Sequence, residues 1–161
     1  MPRLRPENMR RLETKIPAPV VTIAIAAAMW LLPHAEPVAD AVDVVRLAAI
    51  DLSMNLSALV AIAAFAGFWQ ARTTINPLQP ERASVLVTHG IYRYTRNPMY
   101  LSLLLLLVAY ASHLGCWAAL AGPMAYVAYV TRFQILPEER VLLAKFGAEY
   151  EAYKRRVRRW I

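Results

Sequence analysis

The sequence predicts an all-α integral membrane protein with about four transmembrane helices, and three observations carry that prediction. Hydrophobic residues make up 58% of the 161-residue chain, and mean hydropathy is +0.36. The apolar residues are gathered into long blocks instead of following the spacing of half-buried soluble helices. The basic residues crowd the flanks of those blocks, as they do at the cytosolic ends of membrane spans. At this length the chain forms one domain, 1–161.

The first apolar block, 18–32, is short for a hydrocarbon core of about 30 Å. Pro17 and Pro19 suit a helix start and Pro33 its end. Its basic flank resembles that of a signal peptide, but the bounding prolines and the balance of charges over four spans favour a retained span. The second block, 47–69, is long enough to cross with some tilt. A third, 99–112, and a fourth, 116–136, are separated by His113, Leu114 and Gly115 and read as a tight helical hairpin. Fourteen helical residues rise only about 21 Å, so the third block cannot cross alone. The loop before it, 86–100, is expected to dip inward, where protein or water must satisfy its peptide groups. Gly122-Pro123 is expected to kink the fourth span. Beyond it, Leu142, Leu143 and Phe146, then Tyr150, Tyr153 and Val157, recur at helical spacing on either side of a break near Gly147. Residues 137–158 thus read as amphipathic cover helices lying on the membrane, with a basic end that anchors lipid headgroups.

Charge sets the orientation. Arg3, Arg5, Arg10, Arg11 and Lys15 precede the first span; Arg72, Arg82, Arg93 and Arg96 lie between the second and third; Lys145, Lys154, Arg155, Arg156, Arg158 and Arg159 follow the fourth. Residues 34–46 carry one arginine, Arg46, against Glu36, Asp40 and Asp43. Both termini are therefore expected in the cytoplasm, at the inner membrane if the host is bacterial. The net charge of +7 does not read as nucleic-acid binding, because no basic-aromatic surface interleaves; anionic membrane lipids are the expected counter-charge. The single cysteine, Cys116, excludes an internal disulfide and a multi-cysteine metal site, and no Cys/His spacing supports a metal.

Two clusters then fall on one membrane face. The loop 86–100 packs His89, Gly90, Tyr92, Arg93, Tyr94, Arg96, Asn97, Pro98 and Tyr100 close together. Gly90 frees the backbone for close approach, and Pro98 fits the first turn of the third helix. Singly, these residues read as headgroup-anchoring arginines and an aromatic belt. The second cluster, Pro137-Glu138-Glu139-Arg140, brings two carboxylates to the same boundary, with Arg132 about two turns earlier. As the start of the last helix, Glu138 and Glu139 would complement its dipole without further function. Taken together, the two clusters favour chemistry at the membrane surface. Asp51 and Asn55 share a face of the second span near its outer end and read as interface residues, as do His34 and His113.

The segments 86–92 and Arg96-Asn97-Pro98-Met99-Tyr100, followed by Glu138-Glu139, Phe146-Gly147, Tyr150, Tyr153 and Val157, resemble the integral membrane methyltransferases that include isoprenylcysteine carboxyl methyltransferase and phosphatidylethanolamine N-methyltransferase. The resemblance covers about residues 74–161. The carboxyl methyltransferases usually read Arg-His-Pro where this chain has Arg96-Asn97-Pro98. The resemblance implies S-adenosylmethionine in a cytosol-facing pocket, bound by His89, Gly90, Tyr92, Arg93, Asn97, Pro98, Tyr100, Glu138 and Glu139. A lipophilic acceptor would enter sideways between the spans, most readily the carboxylate of an isoprenylcysteine-like molecule. Arg96 is expected to orient that acceptor, and Glu139 to contact the cofactor or do acid-base work. The alternatives are a phospholipid amine N-methyltransferase, an NADPH-dependent enzyme like the sterol reductases, and a non-enzymatic membrane scaffold.

Overall fold

The computed structural model describes residues 16–32, 40–71 and 85–161, and the side chains of all of these except 40–43. The basic N-terminal flank, Pro33, His34, Arg72 and Arg82 lie outside the described residues. Regular structure among the described residues is entirely helical.

Helix α1, Ala18–Trp30, begins where the sequence suggests, with Pro17 entering in an extended conformation and Pro19 in the first turn, where a missing N–H costs no hydrogen bond. It buries a narrow stripe, Ala18, Val21 and Met29, and leaves Ile23 and Trp30 exposed. Helix α2, Asp40–Ala71, overruns the expected span at both ends, and its part Val44–Ala71 is long and apolar enough to cross a membrane. Leu52, Leu59, Ile62, Phe65 and Trp69 point outward from it, an apolar surface suited to lipid tails. Its buried residues, Ser57, Ala64 and Gly67, are small and share one face. Ser57 faces helix α3, its Oγ donating to the carbonyl of Ser102 at 2.8 Å, while Ala64 and Gly67 pack against Val87 and the Tyr92 ring of the loop before α3.

Helix α3, Pro98–Leu114, has 17 residues, three more than expected, and opens with Pro98 in its first turn. Its rise of about 25 Å still falls short of a hydrocarbon core. It ends at Gly115, whose φ of 67° places the left-handed residue that lets its N–H bond the Ala111 carbonyl. The expected fourth span is a composite. A 3₁₀ turn, Trp117–Leu120, gives way to α4, Ala121–Val130, then to a π-helical segment, Thr131–Ile135, and without a break to α5, Leu136–Arg156. Pro137 explains the π turn. Within a continuous α-helix it would remove one hydrogen bond and clash with the carbonyl four residues back, that of Phe133; widening the turn just before it relieves both. Pro123, the expected site of a kink within a continuous span, instead falls in the first turn of α4 just after the 3₁₀ turn, where its missing N–H breaks no helical hydrogen bond.

Ile135 is fully helical, so Glu138 and Glu139 do not sit at a free helix start. The dipole explanation for their charges weakens accordingly. The break expected near Gly147 is present: its φ of 49° turns the second half of α5.

Apolar side chains of α1, α3 and α4 form the main core, centred on Leu107, Leu114, Tyr126 and Val130. Gly122 brings α4 against α1 so closely that a Cβ there would overlap Met29. Tyr150, Tyr153 and Val157 are buried with Leu86, Leu142, Leu143 and Phe146. These residues of the cover therefore pack on the loop before α3, not on a membrane surface.

Candidate active site

Three stretches meet at the start of α3. Residues 85–97 run extended to His89, turn through a 3₁₀ segment, Gly90–Arg93, and reach Asn97 before the helix. Gly90 has a φ of 60°, so the turn requires the left-handed conformation that glycine adopts freely. The start of α5 lies beside this loop. Residues 158–161 fold back across both as a strap: the Arg96 N–H donates to the Arg158 carbonyl at 3.1 Å, and Asn97 Nδ2 to the Arg159 carbonyl at 2.9 Å. Thr95, 2% exposed, supports the junction by accepting from the Asn97 N–H at 3.1 Å and donating to the Arg159 carbonyl at 3.4 Å. Trp160 Nε1 reaches Thr131 Oγ1 in the π segment at 3.3 Å.

Glu139 is the hub of this junction. Arg159 grips it in a two-point pair, Nε to Oε1 at 2.9 Å and Nη2 to Oε2 at 2.8 Å. The Nη1 of Arg96 lies 3.0 Å from Oε1, at ion-pair distance but without hydrogen-bond alignment, and Arg96 Nε has no hydrogen-bond partner. The Arg96 side chain, 9% exposed, also shares a hydrogen bond with Tyr150. Burial pushes the Glu139 carboxyl upward, but the Arg159 hydrogen bonds and the charges of Arg96, Arg159 and Lys154 outweigh it and hold it below the usual carboxylate range. The same bonds raise Arg159 above its ordinary value against the opposing effect of burial. Burial and the Glu139 charge raise the Tyr150 hydroxyl to about 12, against Arg96.

The adjacent carboxylate has the opposite environment. Glu138 accepts a short hydrogen bond from the Tyr100 hydroxyl, one turn into α3. Burial raises its carboxyl to about 7, the Tyr100 bond opposes this, and the neighbouring Glu139 charge adds to it. Two neighbouring acids thus divide into one fixed in its ionised form and one that changes charge near neutral pH.

Of the residues singled out from the sequence, Arg96, Asn97, Tyr100, Glu138 and Glu139 come together here, and Pro98 is buried as the first residue of α3. Tyr92 joins indirectly. Its carbonyl accepts from the Tyr153 hydroxyl at 2.7 Å, while its ring lies on Gly67 and edge-on to Phe68, leaving its own hydroxyl buried without a partner. His89, Gly90 and Arg93 are exposed, and among the described residues no hydrogen bond or ion pair ties the side chains of His89 or Arg93 to the Glu139 hub. Arg132 stands over the Phe133 ring in the π segment. Asn55 donates to the backbone carbonyl of Asp51 on an exposed face of α2. His113 is exposed and stacks on Tyr110. Among the described residues no group of three or more His, Cys, Asp or Glu is placed to hold a metal ion.

Sequence reasoning missed Arg159, assigning it with the rest of the basic tail to lipid headgroups. A usable signal existed. Two carboxylates brought inward call for cationic partners, and the basic tail that folds back over them holds several.

The model of the phospholipid methyltransferase family matches residues 46–149 of this chain. An uncharacterized protein of Haemophilus influenzae is 48% identical over 63 residues, which are the whole of that protein and 39% of this chain. No solved structure matches.

Proposed function

The chain belongs to the phospholipid methyltransferase family, and we propose that it transfers a methyl group from S-adenosylmethionine to a lipophilic acceptor at the cytosolic face of a membrane. The family match carries this reading and the hub supports it: the Arg96 guanidinium, whose Nε has no hydrogen-bond partner, lies beside a carboxyl that burial raises toward neutrality, at one end of an apolar helix bundle. The reading includes four crossings, by 18–32, 47–69, 99–112 and 116–136, with both termini in the cytoplasm.

The residues fit the cofactor. It carries a carboxylate, an amine, a ribose and a sulfonium; when bound, it supplies a methyl carbon activated by its sulfonium leaving group. Arg93 and the backbone N–H groups of Gly90 and Ile91, at the start of the 3₁₀ segment, would hold its carboxylate. Glu138 and Glu139 would accept from its amine or ribose, and Asn97, Pro98 and Tyr100 would line the site beside them, with Tyr92 packed behind the loop. Arg96 orients the acceptor: its Nε and Nη1 are buried donors without hydrogen-bond partners, suited to a phosphate or carboxylate oxygen. Holding the nucleophile in line with the methyl carbon supplies much of the acceleration.

Glu138 favours an amine acceptor, such as a phospholipid headgroup. An ammonium nitrogen must lose its proton before its lone pair can attack, and Glu138 is the carboxyl poised to take it near pH 7, whereas Glu139 is held ionised by two arginines. The second reading is a carboxylate acceptor, which is already ionised and needs only a cation to orient it; the unsatisfied nitrogens of Arg96 support it.

Calorimetry on the detergent-solubilised protein tests the cofactor. Saturable binding of S-adenosylmethionine and S-adenosylhomocysteine, with none of NADPH, is expected. Binding of NADPH alone points to a reductase, and binding of neither points to a scaffold. Methyl transfer assayed with amine and carboxylate lipids then separates the acceptors. Arg96→Ala is expected to lower turnover on the order of 100-fold while weakening cofactor binding far less; unchanged turnover removes Arg96 from the acceptor side.

A further inference from the structure

The strap is the least expected part of the site. Its backbone is stitched to Arg96 and Asn97, Trp160 anchors it to the π segment, and its one inward cation, Arg159, meets Glu139 with both halves of its fork. Arg158 is exposed while Arg159 is half-buried, so the strap delivers this guanidinium selectively. A fork on a carboxylate fixes its plane as well as its charge. We propose that Arg159 is a positioning residue of the site: carried in by the strap, it holds the Glu139 carboxylate in the plane from which that carboxylate meets Arg96. This rests on the methyltransferase reading for its catalytic meaning, though not for its physical content.

The consequence runs through Arg96. With Arg159 holding both oxygens of Glu139, Arg96 shares only Oε1 and keeps Nε and Nη1 without hydrogen bonds. If Arg159 is removed, Glu139 has one guanidinium left, and Arg96 is drawn into the paired geometry that Arg159 vacates. The donors meant for a ligand are thereby consumed. Meanwhile burial of Glu139 is opposed by less positive charge, so its carboxyl rises toward neutrality. The groups facing it are Arg96 from the loop, Arg159 from the strap, and Lys154, Tyr150 and Glu138 from α5. Of these, Glu138 also titrates near neutral pH, so the test must separate the two acids.

The test compares the wild-type chain with Arg159→Gln, Arg159→Lys, Glu139→Gln and the double variant Arg159→Gln/Glu139→Gln. Infrared spectra at about pH 6 read the protonated carboxyl directly. Arg159→Gln should gain a protonated-carboxyl band over the wild type, and the band should vanish in the double variant, which assigns it to Glu139 and not to Glu138. Arg159→Lys should show less of the band, because a lysine keeps the charge but not the fork. S-Adenosylhomocysteine binding should weaken about tenfold in Arg159→Gln, more steeply at acid pH than in the wild type. The double variant should bind no worse than Glu139→Gln alone, since Arg159 acts through Glu139.

An Arg159→Gln protein that remains helical by circular dichroism, gains no such band and keeps the wild-type pH profile overturns the proposal, as do additive losses in the double variant. The two readings fail separately. The expected band in a protein that binds no cofactor supports the positioning role and rejects the methyltransferase. Normal cofactor binding without the band does the reverse.

Discussion

The two ends of this molecule are held by different physics. Between α1, α3 and α4 the contacts are mostly apolar, with the Tyr126 hydroxyl donating to the Tyr100 carbonyl as a buried polar link, and α2 packs along α3 with Ser57 donating to the Ser102 carbonyl. At the start of α3 the ties are charged or hydrogen-bonded, and they join a loop, a helix and a strap distant in sequence: Arg96 to Arg158, Asn97 to Arg159, Tyr100 to Glu138, Glu139 to Arg159. The apolar region tolerates chemical change and resists change of volume. The polar region behaves oppositely, because a buried donor or charge left alone costs more than a lost apolar contact of the same size.

The largest expected effect lies at the polar end. Glu138→Gln keeps the shape and the hydrogen bond from Tyr100 but cannot take a proton. With an amine acceptor, turnover should fall on the order of 100-fold, and the rise in kcat/KM as pH passes through about 7 should disappear. Stability should move the other way. A carboxyl whose folded value is raised from 4.5 to about 7 holds its proton in the folded state over a window where the unfolded chain has released it. The stability this gives is complete below the unfolded value and is lost as pH rises through the folded one. Above about pH 7 the wild type therefore carries a buried charge that Glu138→Gln lacks, and the variant should melt higher at about pH 8 by an amount corresponding to roughly 1–3 kcal/mol. A variant that melts lower than the wild type there would place Glu138 among the structural residues.

A middle-sized effect tests the apolar end. Gly122→Ala puts a Cβ into the Met29 side chain where α1 meets α4, an overpacking expected to cost about 1–3 kcal/mol. Adding Met29→Ala should recover much of the loss, and thermal melts in detergent read both. A chemical change that preserves volume, Met29→Leu, should pass almost unnoticed by comparison.

How much of this contrast was legible in the sequence depended on which physics wrote it. The helices were readable because apolar blocks, Pro19, Pro98 and the Gly147 break act locally, and each sits where it was expected. The composite make-up of 116–136 was not, because block hydropathy is blind to whether a turn is α, π or 3₁₀; only Pro137 hinted at the π segment. At the site, Arg96, Asn97, Tyr100 and the two glutamates were found as a local motif and a local pair. Their division of labour was hidden, because Glu138 and Glu139 are adjacent in sequence and differ only in what lies across from them. Arg159 was lost in a run of basic residues, since nothing local marks which cation of such a run turns inward.

The smallest effect is the sharpest check on the comparison. Ser57 is 3% exposed, and its hydroxyl reaches the Ser102 carbonyl, which an α3 backbone bond can already satisfy. Ser57→Ala removes the donor and leaves no unmet charge, while the small side chain keeps α2 and α3 in contact. Interhelical hydrogen bonds of this kind contribute only about 0.6 kcal/mol on average, so a melt should shift by little and cofactor binding by nothing measurable. A loss several times larger would mean that α2 is held by polar bonding rather than by its packing along α3, and the two ends of the molecule would then obey the same rule.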